Sequence, residues 1–241
     1  MTDKKRIVFT QGGKGGVGKS EVVFALIPWY HSQGFDPILL DFDIENTNKS
    51  GLKNFYPEAE KYDVHAEGAL DSFFDICDSD ESKVIIADLG SGAGTSTYQW
   101  FEEVASEAKS LGIHFTAIGV TNNEAGAVQS VLKWADHLQD DVEYLVVLNA
   151  LREKDCKFEY WHQEPAVAQF EAAFAPKVIS MQARIQEIQS EIRNHTVTLQ
   201  QIIDRQVDIP YFQKTRILTR AKAYSKELWD GFTSAKDILV P

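Results

Sequence analysis

Five short apolar runs recur along the first 150 residues: Ile7-Val8-Phe9-Thr10, Pro37-Ile38-Leu39-Leu40-Asp41, Lys83-Val84-Ile85-Ile86-Ala87-Asp88, Phe115-Thr116-Ala117-Ile118-Gly119-Val120 and Tyr144-Leu145-Val146-Val147-Leu148-Asn149. Nearly unbroken apolar character with many β-branched residues marks strands buried on both faces. Between them the apolar positions change to a helical period. Val22, Val23, Leu26, Ile27 and Tyr30 share one face of a helix over 20–32, which Gly34 closes and Pro28 should kink or tighten. Further amphipathic helices are expected over 98–110 and 125–138. Strands alternating with helices predict an α/β fold: a doubly wound, mostly parallel sheet with helices on both faces.

The pattern then loosens. Residues 47–82 are polar and irregular, with a short helix expected over 68–77. From Asn149 to the next strand-like stretch, Val207-Asp208-Ile209, the chain is too long for one connection. The region 165–206 is helical in composition. Val178, Met181, Ile185, Ile188, Ile192, His195, Leu199 and Ile202 follow a 3-4 spacing, broken in character only by His195. That spacing predicts a single helix from Val178 to Arg205, about 42 Å long, which either projects and pairs or lies on the sheet. The whole is therefore expected to be one domain over 1–241 with a long helical insertion at 160–206. Ile217, Ala221, Tyr224, Leu228 and Phe232 form the buried face of a C-terminal helix.

The chemistry is concentrated near the start. Gly13-Lys14-Gly15-Gly16-Val17-Gly18-Lys19-Ser20 fits G-x-x-x-x-G-K-[ST], set between a strand and a helix. In that setting the backbone N–H groups of Gly13, Gly15, Gly16, Val17 and Gly18 converge on phosphate oxygens, helped by the positive end of the helix. Lys19 reaches the β- and γ-phosphates and the Ser20 hydroxyl ligates Mg2+. At the end of the second strand, Asp41-Phe42-Asp43 points two carboxylates the same way, towards those phosphates. Asp88-Leu89-Gly90 follows the next buried strand; its carboxylate can hold Mg2+ through water, and the glycine lets the next N–H approach the γ-phosphate.

Lysines at both ends of Lys14-Gly15-Gly16-Val17-Gly18-Lys19-Ser20 make the sequence resemble the deviant Walker A ATPases: ParA and MinD proteins, arsenical-pump ATPase and nitrogenase iron protein. The resemblance covers 6–149 and returns at 207–209. It implies an ATP hydrolase that dimerises on ATP, with Lys14 reaching the partner subunit's phosphates. It also implies that Asp41 supports Mg2+ through water, that Asp43 positions the attacking water and that Asn149 contacts the adenine. Asp-Ile-Glu-Asn replaces the D-x-D-P-Q continuation of plasmid-partition ATPases, and Gln11-Gly12-Gly13-Lys14 looks more like the ParA-related proteins of plasmid conjugation and mobilisation. In partition ATPases, basic residues near the C-terminus bind DNA nonspecifically; here Lys214, Arg216, Arg220, Lys222 and Lys226 occupy that stretch, which also reads as an ordinary solvated face.

Composition narrows the setting. The chain is 44% hydrophobic and 11% aromatic, as a globular protein is, and its formal charge of −12 disfavours nucleic acid and anionic lipid unless the basic groups are segregated. No run of 18 apolar residues exists, residues 1–6 lead straight into the first strand, and 235–241 lack a basic amphipathic helix; the expected address is the cytoplasm, with no membrane span. Cys77 and Cys156 are isolated, which excludes a zinc ribbon and argues against an iron–sulfur scaffold. Two functions fit. One is a switch whose ATP-bound homodimer positions or partitions DNA, a plasmid or another cargo through an adaptor. The other is an ATP-dependent enzyme acting on a small substrate, an ion carrier or a synthetase.

Overall fold

The computed structural model describes residues 4–11, 14–43, 51–79 and 82–241. In chain order it runs β1 (Lys5–Gln11), α1 (Lys19–Ser32), β2 (Ile38–Asp41), α2 (Leu52–Phe55), β3 (Glu60–Lys61), α3 (Ser72–Ser79), β4 (Val84–Asp88), α4 (Gly94–Ser110), β5 (Ile113–Thr121), α5 (Ala125–Leu138) and β6 (Glu143–Asn149). There follow α6 (Glu159–Gln163), α7 (Pro165–Phe174), β7 (Lys177–Met181), α8 (Gln186–His195), α9 (Leu199–Ile203), α10 (Thr215–Ser234) and α11 (Lys236–Leu239).

The strands form one seven-stranded sheet in the order β3-β2-β4-β1-β5-β6-β7, parallel throughout. The doubly wound α/β architecture expected from the sequence is the one observed. Alternate strand residues feed two apolar layers. Ile7, Phe9, Phe115 and Val146 pack with α3, α4, α5, α6 and α7 on one face. Val8, Ile86, Ile118 and Val147 pack with α1, α10 and α11 on the other. Burial on both faces is why these strands are nearly all apolar.

Helix α1 runs through Pro28 to Ser32, and Gly34, at φ 83°, closes it. Phe35 N–H donates to Tyr30 O at 3.0 Å and Gly34 N–H to His31 O at 3.1 Å, the Schellman pairing that a left-handed residue makes available. The last short helix is drawn into the core. Leu239 is fully buried, and the Tyr30 hydroxyl donates to its carbonyl at 2.6 Å; the Thr116 hydroxyl donates to the Ile238 carbonyl.

The single helix expected from Val178 to Arg205 does not form. Pro176 precedes an edge strand, β7, which pairs in parallel with β6. Thr196 then turns left-handed at φ 52°, ending α8, and Thr198 starts α9 with a capping box shared with Gln201. The apolar stripe is real but serves two purposes: Met181 enters the sheet core, while Ile188, Ile192 and Ile202 join Phe55, Phe212 and Ile217 in a third apolar cluster. That seam is buried within the chain rather than offered to a second one. Val207–Ile209 is also not a strand; Phe212 N–H donates to Ile209 O at 2.9 Å in a turn.

Candidate functional site

The parallel sheet brings the C-terminal ends of β1, β2 and β4 together, the end where such sheets bind ligands. Between β1 and α1 lies the glycine loop, of which Gly12 and Gly13 fall outside the described residues. Gly18 is the residue before α1 and takes φ 102°. A Cβ there would stand 2.6 Å from Asn149 Nδ2, so only glycine fits. That amide donates to Val17 O at 2.8 Å. Asn149, expected at the adenine, thus engages its nitrogen in bracing the loop from the end of β6.

Lys19 is nine-tenths buried, and its ammonium donates to Lys14 O at 3.3 Å, curling over the loop it belongs to. Lys14 is different. Its side chain is half exposed, with Nζ 3.6 Å from a carboxylate oxygen of Glu124, the residue preceding α5.

Asp41 and Asp88 are register partners on β2 and β4, and both are buried. Asp41 Oδ1 accepts from Asp43 N–H at 3.0 Å and Oδ2 from Lys53 N–H at 3.1 Å. Asp43 is buried against Gly90: a Cβ at Gly90 would come within 3.0 Å of Asp43 Oδ1 and 3.2 Å of its Cα. Asp88 Oδ1 accepts from the Thr10 hydroxyl at 3.0 Å, while Oδ2 is buried without a hydrogen-bond partner among the described residues. Burial pushes the Asp88 carboxyl up to about 6; the nearby Ser20 and Thr10 hydroxyls and Lys19 ammonium pull it back in part, and Asp41 adds to the rise. A bare carboxylate oxygen beside a serine hydroxyl, with a second carboxylate in register, is the oxygen-donor set a hard divalent cation takes. The residues fit Mg2+.

A cavity of about 350 Å³ opens over Gly15, Gly16, Gly18, Lys19 and Ser20, flanked by Asp43 and Ser91. Its far wall comes from α8 and the turn into α9, including Gln189, Ile192 and Thr198, with Arg184 before them. The Thr10 hydroxyl, Glu21 and Arg184 are site residues that the sequence alone did not reveal. Thr10 was legible only as a strand residue, and Arg184 follows a strand hidden under a helical pattern.

The basic residues of the C-terminal stretch are partly engaged. Arg216 Nη2 lies 3.2 Å from Glu187, whose carboxylate the Tyr211 hydroxyl and Arg216 hold below its usual range. Lys226 pairs with Asp230. Arg220 and Lys222 lie exposed on α10. Among the described residues no helix is long and apolar enough to cross a membrane.

A glycine loop after the central strand of a parallel sheet, with acids ending β4 beside it and β2 one strand further out, defines a P-loop nucleotide-binding domain. Residues 8–223 match the CobQ/CobB/MinD/ParA nucleotide-binding domain family. The chain belongs to that family. Among curated proteins it is similar to the protein MobD of Acidithiobacillus ferrooxidans, 22% identical over 158 residues, which span 66% of this chain and 69% of that one. Among solved structures it is similar to MinD in the MinC:MinD cell division complex of Aquifex aeolicus, with a TM-score of 0.57, 14% identity and coverage of 98% of this chain and 97% of that one. A putative plasmid partition protein of Borrelia burgdorferi B31 bound to AMPPNP gives a TM-score of 0.52 at 12% identity, covering 96% and 99% of the two chains. At such identities the likeness is one of fold.

Proposed function

We propose that this protein is a ParA/MinD-type ATPase switch that dimerises on ATP, positions a plasmid or another cargo through an adaptor, and resets by hydrolysing ATP to ADP. The observation that carries the reading is the buried Oδ2 of Asp88, without a hydrogen-bond partner among the described residues, near Ser20 and Lys19 at the mouth of a glycine loop. Ser20, Asp41 and Asp88 would hold Mg2+, which supplies charge neutralisation on the β- and γ-phosphate oxygens. Gly13, Gly15, Gly16, Val17 and Gly18 wrap the phosphates with backbone N–H groups, and Lys19 exchanges its bond to Lys14 O for phosphate oxygens. Asp43, held by its own N–H to Asp41 and lying against Gly90, orients the attacking water. Gly90 lets that close approach persist and presents the following N–H to the γ-phosphate. Asn149 keeps the loop in shape from the nucleoside side.

Lys14 stands apart from Lys19, half exposed and paired with Glu124. Two cations serving the same phosphates from one loop would repel, so Lys14 takes the phosphates of a facing subunit and makes ATP part of the interface. The similarity to a putative plasmid partition protein supports a plasmid cargo, and the AMPPNP bound to that protein supports ATP. If DNA is the scaffold, the exposed Arg220 and Lys222 of α10 meet it, with Arg216 released from Glu187.

Sedimentation tests the switch. Wild type should be monomeric with ADP and dimeric with a non-hydrolysable ATP analogue, and Lys14→Ala should keep the nucleotide but lose the dimer. A wild type that stays monomeric with the analogue refutes the sandwich.

A further inference from the structure

Arg184 follows β7 and reaches back to the first turn of α1. Its Nη1 donates to the Glu21 carboxylate, and its Cζ lies 5.1 Å over the Tyr224 ring. The next residue is fixed to the same ring, since Ile185 N–H donates to the Tyr224 hydroxyl at 2.9 Å. The Arg184 side chain is only 5% exposed. Held this way, its remaining donors have nowhere to turn.

Those donors are unmatched. Arg184 Nε and Nη2 are buried without a hydrogen-bond partner among the described residues, and so is Gln189 Nε2, in the first turn of α8. Nε and Nη2 form one side edge of the guanidinium, with both N–H bonds directed the same way. Arg184 and Gln189 line the same cavity as Gly18, Lys19 and Ser20. Buried donors of this kind are costly unless a ligand or water meets them. A side-edge fork fits two oxygens of one oxyanion better than it fits isolated acceptors. Its anchor, Glu21, directly follows Ser20, so the fork stands at the helix end where a P-loop gathers the α- and β-phosphates.

We infer that Arg184 is a further nucleotide-binding residue, giving Nε–H and Nη2–H to oxygens of the α-phosphate. The inference rests on the nucleotide reading above. Glu21 holds the far edge of the guanidinium and so aims the open edge, and Gln189 closes the same end of the cavity from α8. Nucleotide thereby ties α8 to the P-loop, whichever nucleotide is bound.

Calorimetric titration of the full chain with ADP and with a non-hydrolysable ATP analogue tests this. Arg184→Gln should weaken both by the same factor, about 10- to 100-fold, because the α-phosphate is common to both. Arg184→Lys, which keeps the charge but loses the fork, should weaken both by a smaller factor. In the wild type, ADP should slow amide hydrogen exchange across 186–195, and this protection should vanish in Arg184→Gln. Unchanged ADP affinity in Arg184→Gln, or a loss confined to the ATP analogue, overturns the inference. Should Arg184→Gln fail to fold, wild-type ADP affinity in Arg184→Lys together with no ADP protection of α8 overturns it as well. A wild type that binds neither nucleotide overturns instead the nucleotide reading on which it stands.

Discussion

The ends of β2 and β4 lie side by side, each finishing in a buried aspartate, and the two are held in opposite ways. Asp41 has a backbone N–H on each oxygen, one from Asp43 and one from Lys53 in the first turn of α2. Asp88 has one oxygen on Thr10 and the other without a hydrogen-bond partner among the described residues. The same residue type, in register on neighbouring strands, is a brace in one case, placed to support a cation only through water, and an open electrostatic socket in the other. What separates them is the local chain. Beside the end of β2, Asp43 and Lys53 offer their N–H groups to Asp41; after β4, Leu89 N–H is taken by the Thr10 hydroxyl at 2.9 Å, and no group among the described residues hydrogen-bonds Oδ2.

The largest effect should come from the cation whose charge acts on Asp88. Lys19→Ala removes the charge that faces both the phosphates and Asp88, and Mg-ATP affinity should fall on the order of a thousandfold, ~4 kcal/mol. Near-unchanged affinity by calorimetry means the loop is not a phosphate cradle and Asp88 is no socket. Asp41→Ala strips the acceptors from two backbone N–H groups at a buried position, and should destabilise the fold by about 3 kcal/mol in urea unfolding. A loss below about 1 kcal/mol would erase the distinction between brace and socket.

Asp88→Asn should do the reverse. A carboxyl raised from 3.8 to about 6 binds its proton more tightly when folded. Its contribution to stability is therefore complete below about pH 4 and disappears as pH rises through about 6, a difference on the order of 3 kcal/mol without metal. Asp88→Asn should flatten that part of the pH–stability curve and be more stable than wild type at pH 7.5, while losing Mg-dependent turnover. A wild-type slope that persists in the variant assigns the titration elsewhere. The smallest effect is steric. Gly90→Ala brings a methyl group against the Asp43 backbone and should cost about 1–2 kcal/mol, with a fall in turnover larger than the fall in nucleotide affinity. Equal falls would mean that the contact holds the nucleotide rather than the water-orienting carboxylate.

The brace and the socket were both visible as acids at strand ends, but not the difference between them, which depends on where backbone N–H groups turn in space. The same divide runs through the fold. β1, β2, β4, β5 and β6 declared themselves because burial on both faces leaves them nearly all apolar. β7 sits at an edge, with Val178 39% exposed and Ile179 and Met181 inward. Its sparse apolar positions fitted a helical count as well as a strand, so Pro176 was the better guide. The glycine loop could be read from spacing alone. Arg184 could not, because its place depends on β7 pairing with β6 and on a tyrosine in α10.

The burial of α11 bears on how the chain is made. Synthesis is vectorial, so α1 and β5 leave the ribosome long before residues 236–239. Yet Tyr30 and Thr116 find their hydrogen-bond acceptors in Leu239 and Ile238, 209 and 122 positions later. Until those residues emerge, Trp29, Tyr30 and Phe232 lack part of the apolar cover that Ile238 and Leu239 complete. This face of the sheet stays open for most of translation, a window in which a nascent-chain chaperone has something to hold, and closing it is a late, long-range step of the sort that slows folding.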